Sequence, residues 1–312
     1  MVQNSVRSER KRRPALRQII RNNYQIYLLM LPGMIATFVF AYIPIYGVQI
    51  AFKNFRSSLG IWGSEWVGLE HFVRFVTNPN FASMIRNTLS ITLYSLATFP
   101  LTVIVALALN ELRSNRFKKV VQMASYAPHF LSTVVLCGLV ILFFGRANGI
   151  VNNAIVLFGG ERVDFVSQPR LFSSIFVWSG VWQNIGWDTI IYLAALAGVS
   201  QELIEAAEID GASRLRIILH VKLPAILPTM LILFIMATGS LLTVGYEKIL
   251  LLENKLNMDA SRVISTYVYK MGLESGQFSY AAAINLFNNL VSLMILIMVN
   301  TFIKKRMEVG LW

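Results

Sequence analysis

The sequence has few charged residues and few of the residues that bind metals or form disulfides. Asp, Glu, Lys and Arg make up 14% of the 312 residues, and 55% are hydrophobic, whereas soluble domains have about 25% charged residues. The single cysteine, Cys137, excludes an internal disulfide, and His71, His129 and His220 lie too far apart for a metal-ligand motif. No GxxxxGK[ST] phosphate loop occurs. The composition predicts a polytopic integral membrane protein rather than a soluble enzyme, and the motifs predict no metal site and no ATPase site of its own.

Six apolar blocks are long enough to cross a bilayer, whose hydrocarbon layer of about 30 Å needs about 20 helical residues. They lie at about 27–50, 88–109, 121–144, 171–199, 226–244 and 281–303. We therefore expect an all-α integral membrane protein with six transmembrane helices. The predicted organisation is a basic segment at 1–26, a membrane domain at 27–303 and a tail at 304–312.

The basic residues are clustered beside the ends of these blocks. Seven Lys or Arg lie in the first 21 residues, four at 113–119, three at 214–222 and three at 304–306. Such clusters mark the cytoplasmic side of a membrane protein. The pattern predicts that the N- and C-termini and the loop at 200–224 are cytoplasmic. It also explains the net charge of +12 without a nucleic-acid partner.

The loop at 200–224 is polar, although it joins two apolar blocks. Its pattern predicts two short helices separated by a turn at Gly211, because glycine tolerates the left-handed backbone that commonly ends a helix. We expect Pro224 to end the second helix. Ala206 and Ala207 are small enough to let another protein approach the backbone. The alternative interpretation is an ordinary cytoplasmic linker with a glycine turn.

The spacing of this loop is very similar to the EAA loop of the membrane subunits of bacterial ABC importers. In that pattern EAA is followed by three residues, Gly, nine residues, Ile, any residue, Leu and Pro, and only the Ile is changed here, to Val221. IPIYGVQIAFKNF, RNTLSITLYS, WQNIGWDTIIYLAALAGV, FSYAAAINLF and the terminal GLW resemble the LplB-like branch of carbohydrate-uptake permeases, which includes importers of alginate and pectin fragments. The resemblance covers nearly the whole chain and implies the type I ABC importer permease fold. It assigns coupling to the ATPase to Glu205, Ala206, Ala207, Asp210, Gly211, Leu223 and Pro224.

The resemblance also implies partners, a location and a cargo. The partners are a second homologous permease subunit, two ATPase subunits that bind ATP and Mg, and an external solute-binding protein. This chain would bind no cofactor of its own and would lie in lipid as a multi-pass protein of the bacterial plasma membrane. The implied cargo is an oligosaccharide, and kinship with the alginate and pectin-fragment importers favours an acidic one.

Polar residues inside the apolar blocks are candidates for the substrate pathway. An acidic residue at the centre of a membrane helix costs about 2.5–3.5 kcal/mol, so we expect Asp188 to face a cavity or a partner. Gln183 with Trp187, and Asn184 with Asp188, are i,i+4 pairs, and amide, acid and aromatic groups together suit sugars. Alternatively, the polar groups hold helices together by hydrogen bonds, and the tryptophans are packing or interface anchors. The predicted pathway residues are Gln183, Asn184, Trp187, Asp188, Tyr246, Asn285, Asn288 and Asn289.

Two other classes of protein remain as alternatives. An integral membrane enzyme needs acid, base or metal groups that converge at one membrane depth, and the sequence suggests no such set. An ion-coupled secondary transporter would use Asp188 for ion binding, but it needs no docking helix of the EAA type. Dependence of uptake on ATP and on a separate ATPase chain discriminates among the three.

Overall fold

The structure is a computed structural model that describes residues 22–312, so most of the basic segment predicted at 1–26 lies outside the described residues. The described chain is helical apart from one short antiparallel ribbon, β1 (Lys53–Asn54) and β2 (Glu65–Trp66). The helices are α1 (Tyr24–Thr37), α2 (Gly60–Gly63), α3 (Glu70–Val76), α4 (Phe81–Ala97), α5 (Phe99–Asn110), α6 (Asn115–Tyr126), α7 (Thr133–Phe144), α8 (Ile150–Leu157), α9 (Pro169–Ala197), α10 (Gln201–Ile209), α11 (Arg214–Ile217), α12 (Leu223–Thr238), α13 (Tyr246–Leu252), α14 (Met258–Ser261), α15 (Ile264–Tyr269) and α16 (Phe278–Met307).

Four helical stretches within residues 22–312 are long and apolar enough to cross a membrane: Tyr24–Phe52, Phe81–Asn110, Arg214–Thr238 and Phe278–Met307. Two bent pairs bring the number to six if each pair is one span. Asn115–Phe130 meets Thr133–Phe144 at 104°, and Pro169–Ala197 meets Gln201–Ile209 at 74°. The all-α class and the membrane-spanning character are thus confirmed.

The third apolar block is not the straight helix that its length predicts. A 3-10 turn at Ala127–Phe130 contains Pro128, Leu131 is extended, and the Ser132 hydroxyl accepts a hydrogen bond from the Val135 N–H (3.3 Å) to begin a new helix. The new helix, α7, has 12 residues, and at 1.5 Å per residue it is about 18 Å long. The block therefore bends sharply where a continuous span was expected.

Pro224 does not end the second helix of the loop, contrary to the prediction. A π-helical turn at Ile218–Lys222, closed by the Leu223 N–H donating to the Ile218 carbonyl, joins α11 directly to α12. Pro224 then lies in the first turn of α12, where its missing N–H is tolerated. The helix of the fifth apolar block also begins and ends earlier than predicted, because it continues from Arg214 and stops at Thr238, where the chain turns before α13 begins.

Two apolar clusters hold α9 at different heights. Near its start, Phe172 and Val177 pack with Ile91 of α4, Val140 of α7 and Ile249 of α13. Near its end, Tyr192 and Leu196 pack with residues of α5 and α12: Val103, Ala106 and Ile226. The middle of α9 is left between these clusters, and the candidate site lies there.

Candidate functional site

A cavity of about 430 Å³ follows the middle of α9. Phe176, Gly180, Asn184 and Asp188 all line it, and their four-residue spacing places them on one face of the helix. Asn184 and Asp188 are predicted pathway residues, and Asp188 is exposed within the described chain. The expectation that Asp188 faces a cavity is confirmed.

The rest of the cavity lining carries hydroxyl groups that are not among the predicted pathway residues. Thr92, Thr98 and Thr243 each donate a hydrogen bond to a backbone carbonyl, of Thr88, Ser95 and Ser240 respectively. Their oxygen lone pairs therefore remain available as acceptors for a ligand's own hydroxyl groups. The hydroxyl residues on this wall are Thr92, Ser95, Thr98, Thr102, Ser240 and Thr243.

Lys248 is the basic residue of the lining, and it also escaped prediction. It lies in α13, and its Nζ donates to the Phe176 carbonyl (2.7 Å) and sits 4.5 Å from the centroid of the Phe176 ring. Burial lowers the pKa of Lys248 to about 8. No acidic group within residues 22–312 lies within 4.0 Å of its Nζ, so the ammonium is not neutralised by an ion pair there.

The bend before α7 brings His129 against α9. Its ring stacks on Trp187, with 4.5 Å between centroids and 3° between planes, and its Nδ1 lies 2.9 Å from Asn184 Oδ1. The Asn184 Nδ2 donates to the Gly180 carbonyl (3.1 Å). These contacts fix the Asn184 amide at the cavity wall, and the Trp187 ring packs against His129.

The other predicted pathway residues are spread over three places. Gln183 donates from Nε2 to the Leu131 carbonyl at the bend (2.9 Å). Tyr246 and Asn285 line a second cavity of about 670 Å³, which shares residues 243–245 with the first. In α16, Asn288 is buried and its Oδ1 has no hydrogen-bond partner within the described chain, whereas Asn289 is exposed. The pathway roles of these residues stay predictions.

The chemistry of the first cavity is that of binding. Its polar groups are one amide, one carboxylate, one ammonium and several hydroxyls, set among apolar side chains. No group of three or more His, Cys, Asp or Glu residues that could hold a metal ion occurs in the part of the chain that the structure describes. A small number of placed polar groups in an otherwise apolar cleft is the usual form of a small-molecule site.

The predicted coupling loop projects from the end of α9. Gly211 has φ +77°, in the left-handed region, so the predicted turn is present. Within residues 22–312, α10 has no buried residue, and Leu203 and Ile209 are 60% and 86% exposed. Glu205 accepts a hydrogen bond from Gln201 (3.1 Å). This short helix therefore offers apolar and small side chains that residues 22–312 do not cover.

An ion pair ties the second half of the loop to the membrane helices. The Lys222 ammonium binds the Glu111 carboxylate at the end of α5, and both side chains are largely buried. Leu223 and Pro224 follow directly in the first turn of α12. The loop is thus joined to two candidate spans by covalent connection and to a third by this pair.

Comparison with known protein families gives one match, covering residues 98–308. The matching family is described as "Binding-protein-dependent transport system inner membrane component". The matched region includes α9, the loop at 200–224 and most of the residues that line the two cavities.

Among curated proteins, two from Bacillus subtilis (strain 168) are similar along almost their entire length. The polygalacturonan/rhamnogalacturonan transport system permease protein YteP is 41% identical over 97% of this chain and 94% of its own. Protein LplB is 40% identical over 94% of this chain and 92% of its own.

Solved structures of a bacterial ABC transporter that imports the acidic polysaccharide alginate share this fold. One matching chain has a TM-score of 0.85 and 36% identity, over 94% of this chain and 99% of its own. A second, from a complex of the alginate transporter with a periplasmic protein bound to alginate pentasaccharide, has a TM-score of 0.86 and 35% identity, over 95% and 99%.

Proposed function

The chain belongs to the family of binding-protein-dependent transport system inner membrane components, as a permease subunit of an oligosaccharide ABC importer, and we propose that its first cavity is part of the substrate pathway. We further propose that α10 couples this pathway to partner ATPases. The observation that carries both proposals is the continuity of α9 with α10. One helix provides the polar wall of the cavity and leads, after a 74° bend, into the exposed loop helix.

The exposure of α10 supports a protein partner at this loop. Leu203 and Ile209 project from a polar segment, and exposed apolar side chains on such a segment favour an interface with another protein. Glu205, Ala206, Ala207, Asp210 and Gly211 form the docking part in this proposal, with Leu223 and Pro224 at its junction with α12. When the two ATPase subunits close on ATP, they move α10 as a rigid body, and α9 carries that movement to the cavity.

The relatives support an acidic oligosaccharide as cargo. YteP is a polygalacturonan/rhamnogalacturonan permease and the structural relative imports alginate, and polygalacturonan and alginate are both polymers of uronic acids. An external solute-binding protein delivers the cargo in this proposal, as the complex of the alginate transporter with its periplasmic protein suggests. In this proposal a second homologous permease subunit completes the pathway and covers Asn289, which is exposed in the isolated chain.

The proposed location is the bacterial plasma membrane, with both termini and the loop at 200–224 in the cytoplasm. The basic clusters at 113–119, 214–222 and 304–306 support this orientation. ATP and Mg bind to the partner subunits, because the chain has no phosphate loop of its own. The alternatives of an ion-coupled secondary transporter and a membrane enzyme receive no support from the contacts of Asp188.

The test is a matched pair of Ala→Arg variants, each tagged and purified from the native host in mild detergent. Ala206 in α10 and Ala147 in the turn before α8 are both exposed, so neither change disturbs the packing of the subunit. We expect Ala206→Arg to lose the ATPase while keeping the second permease, and Ala147→Arg to keep both. Recovery of equal amounts of ATPase with the two variants would contradict the coupling proposal. Uptake that follows an ion gradient without ATP would contradict the importer mechanism.

A further inference from the structure

We propose that the Lys248 ammonium binds the carboxylate of a uronic acid residue in the cargo, and so selects acidic oligosaccharides inside the permease itself. This inference deepens the proposed function and rests on it, because it takes the first cavity to be part of the pathway. It adds a specificity-determining residue that the sequence patterns did not indicate.

The position of the Lys248 ammonium is fixed by α9. Its Nζ donates to the Phe176 carbonyl (2.7 Å) and lies over the Phe176 ring. A Cβ built on Gly180 would lie 3.2 Å from this Nζ, so the glycine makes room for the charged group. An ammonium has three N–H donors. The Phe176 carbonyl is its one hydrogen-bond partner within residues 22–312, which leaves two donors for a ligand.

An unneutralised cation at the wall of a partly apolar cavity favours an anionic ligand. Within the described chain, both ion pairs lie elsewhere: Lys222 pairs with Glu111, and Lys270 pairs with Glu253. A charge removed from water needs a partner of opposite sign. Lys248 lines the cavity without such a partner from residues 22–312, so a carboxylate of the cargo can supply it.

The two charged groups of the cavity lie towards opposite ends of its α9 wall. Lys248 is anchored at the level of Phe176 and Gly180, and Asp188 lies eight residues beyond Gly180, about 12 Å further along the helix. The carboxylate of Asp188 repels an acidic group and accepts hydrogen bonds from sugar hydroxyls. The cargo is therefore oriented with a uronic carboxylate at Lys248 and sugar hydroxyls towards Asp188.

Protonation of Lys248 supplies a second, independent readout. Burial lowers its pKa to about 8, and the nearby thiol of Cys137 on α7 counteracts this in part. The other titratable groups on the surrounding elements are Tyr246 and Glu247 on α13, Arg170, Asp188 and Tyr192 on α9, and Arg86 and Tyr94 on α4. The ammonium loses its proton progressively as the pH rises through about 8. Binding of acidic cargo should therefore weaken as the pH rises from 7 to 9, while binding of neutral cargo should not.

The experiment measures equilibrium binding to the complete importer in lipid nanodiscs, without the binding protein, which could otherwise impose its own specificity. The two probes are trigalacturonate and the same trisaccharide with its carboxylates reduced to alcohols. For Lys248→Met we expect at least tenfold weaker binding of trigalacturonate and less than twofold change for the reduced sugar. Lys248→Arg should retain most of the affinity for trigalacturonate. Lys255→Met, an exposed change in the same segment, is the control.

Several results would overturn the inference. They are equal effects of Lys248→Met on both probes, the absence of trigalacturonate binding to the wild-type complex, and a flat pH profile between 7 and 9. Uptake of trigalacturonate by the wild-type importer with its binding protein and ATP is measured in parallel. If that uptake occurs and the binding results are negative, the Lys248 assignment fails and the importer function stands. If Lys248→Met does not assemble, Lys248→Arg and the pH profile of the wild-type complex decide.

Discussion

The helices α9 and α10 are consecutive in the chain, but they differ in how far the rest of the subunit buries their side chains. Six residues of α9 are buried against other helices of the same chain: Phe172, Val177, Gly186, Thr189, Tyr192 and Leu196. In the described chain, α10 buries none of its residues. The α9 wall of the cavity is thus packed within the subunit, whereas the side chains of α10 stay exposed, as the proposed ATPase interface requires. Changes in α9 should act on stability, and changes in the loop should act on transport.

The largest expected effect is at the closest contact of α9. A Cβ built on Gly186 would lie 2.2 Å from the Ser125 carbonyl oxygen, a backbone atom that cannot move aside independently. We expect Gly186→Ala to destabilise the subunit by about 3 kcal/mol, seen as a lower thermal unfolding midpoint of the purified importer.

The matched control is Gly138→Ala in α7. No atom within residues 22–312 lies within 4 Å of a Cβ built there, and alanine is favoured over glycine in a helix by about 0.5–1 kcal/mol. The control should be neutral or slightly stabilising. Equal decreases of the unfolding midpoint in the two variants would mean that the close approach of α6 to α9 does not determine the stability of this region.

The second prediction acts on the loop alone. Gly211 has φ +77°, whereas proline is restricted to about −65°, so Gly211→Pro cannot form the turn between α10 and α11. We expect ATP-driven uptake to fall at least tenfold, while binding of the cargo to the complex changes less than twofold.

Gly211→Asn is the control for this change, because asparagine tolerates the left-handed conformation better than other non-glycine residues. It should retain most of the uptake. If Gly211→Pro also lost cargo binding, the loop and the cavity wall would not be separable, contrary to what their different burial suggests.

The smallest expected effect concerns the ion pair between Glu111 and Lys222, which joins the loop to α5. The two side chains are 27% and 12% exposed, so their attraction exceeds that of a typical surface pair, which contributes less than about 1 kcal/mol. A double-mutant cycle with Glu111→Ala and Lys222→Ala should give a coupling free energy of about 1 kcal/mol in denaturant unfolding. If the effects of the two substitutions on the free energy of unfolding were additive, the ion pair would not link the loop to the membrane helices.

The spans and the loop were the parts of the molecule that the sequence could predict. A run of apolar residues of bilayer length has few alternatives to a membrane helix, and the turn at Gly211 follows from the freedom of glycine. The bend before α7 was missed, although Pro128 and Ser132 mark it. Proline is frequent in membrane helices, where it usually leaves the span continuous, so its presence alone does not indicate a bend of this size.

The cavity could be predicted only in part. Asp188 was found because a carboxylate in an apolar helix demands an explanation. Threonine and serine carry no such signal, since they bond to their own helix backbone in many membrane helices. Lys248 was missed because a lysine near a span end ordinarily reaches to the interface. Its burial depends on α13 packing against α7 and α9, which no local pattern of residues specifies.

The segment 243–245, which the two cavities share, lies outside any helix of the described chain. It lines both the cavity of about 430 Å³ and the cavity of about 670 Å³. Because this segment lacks helical hydrogen bonds, its backbone can change conformation without breaking a helix. In the proposed pathway, passage of cargo between the two cavities would therefore require a rearrangement of three residues rather than of the surrounding helices.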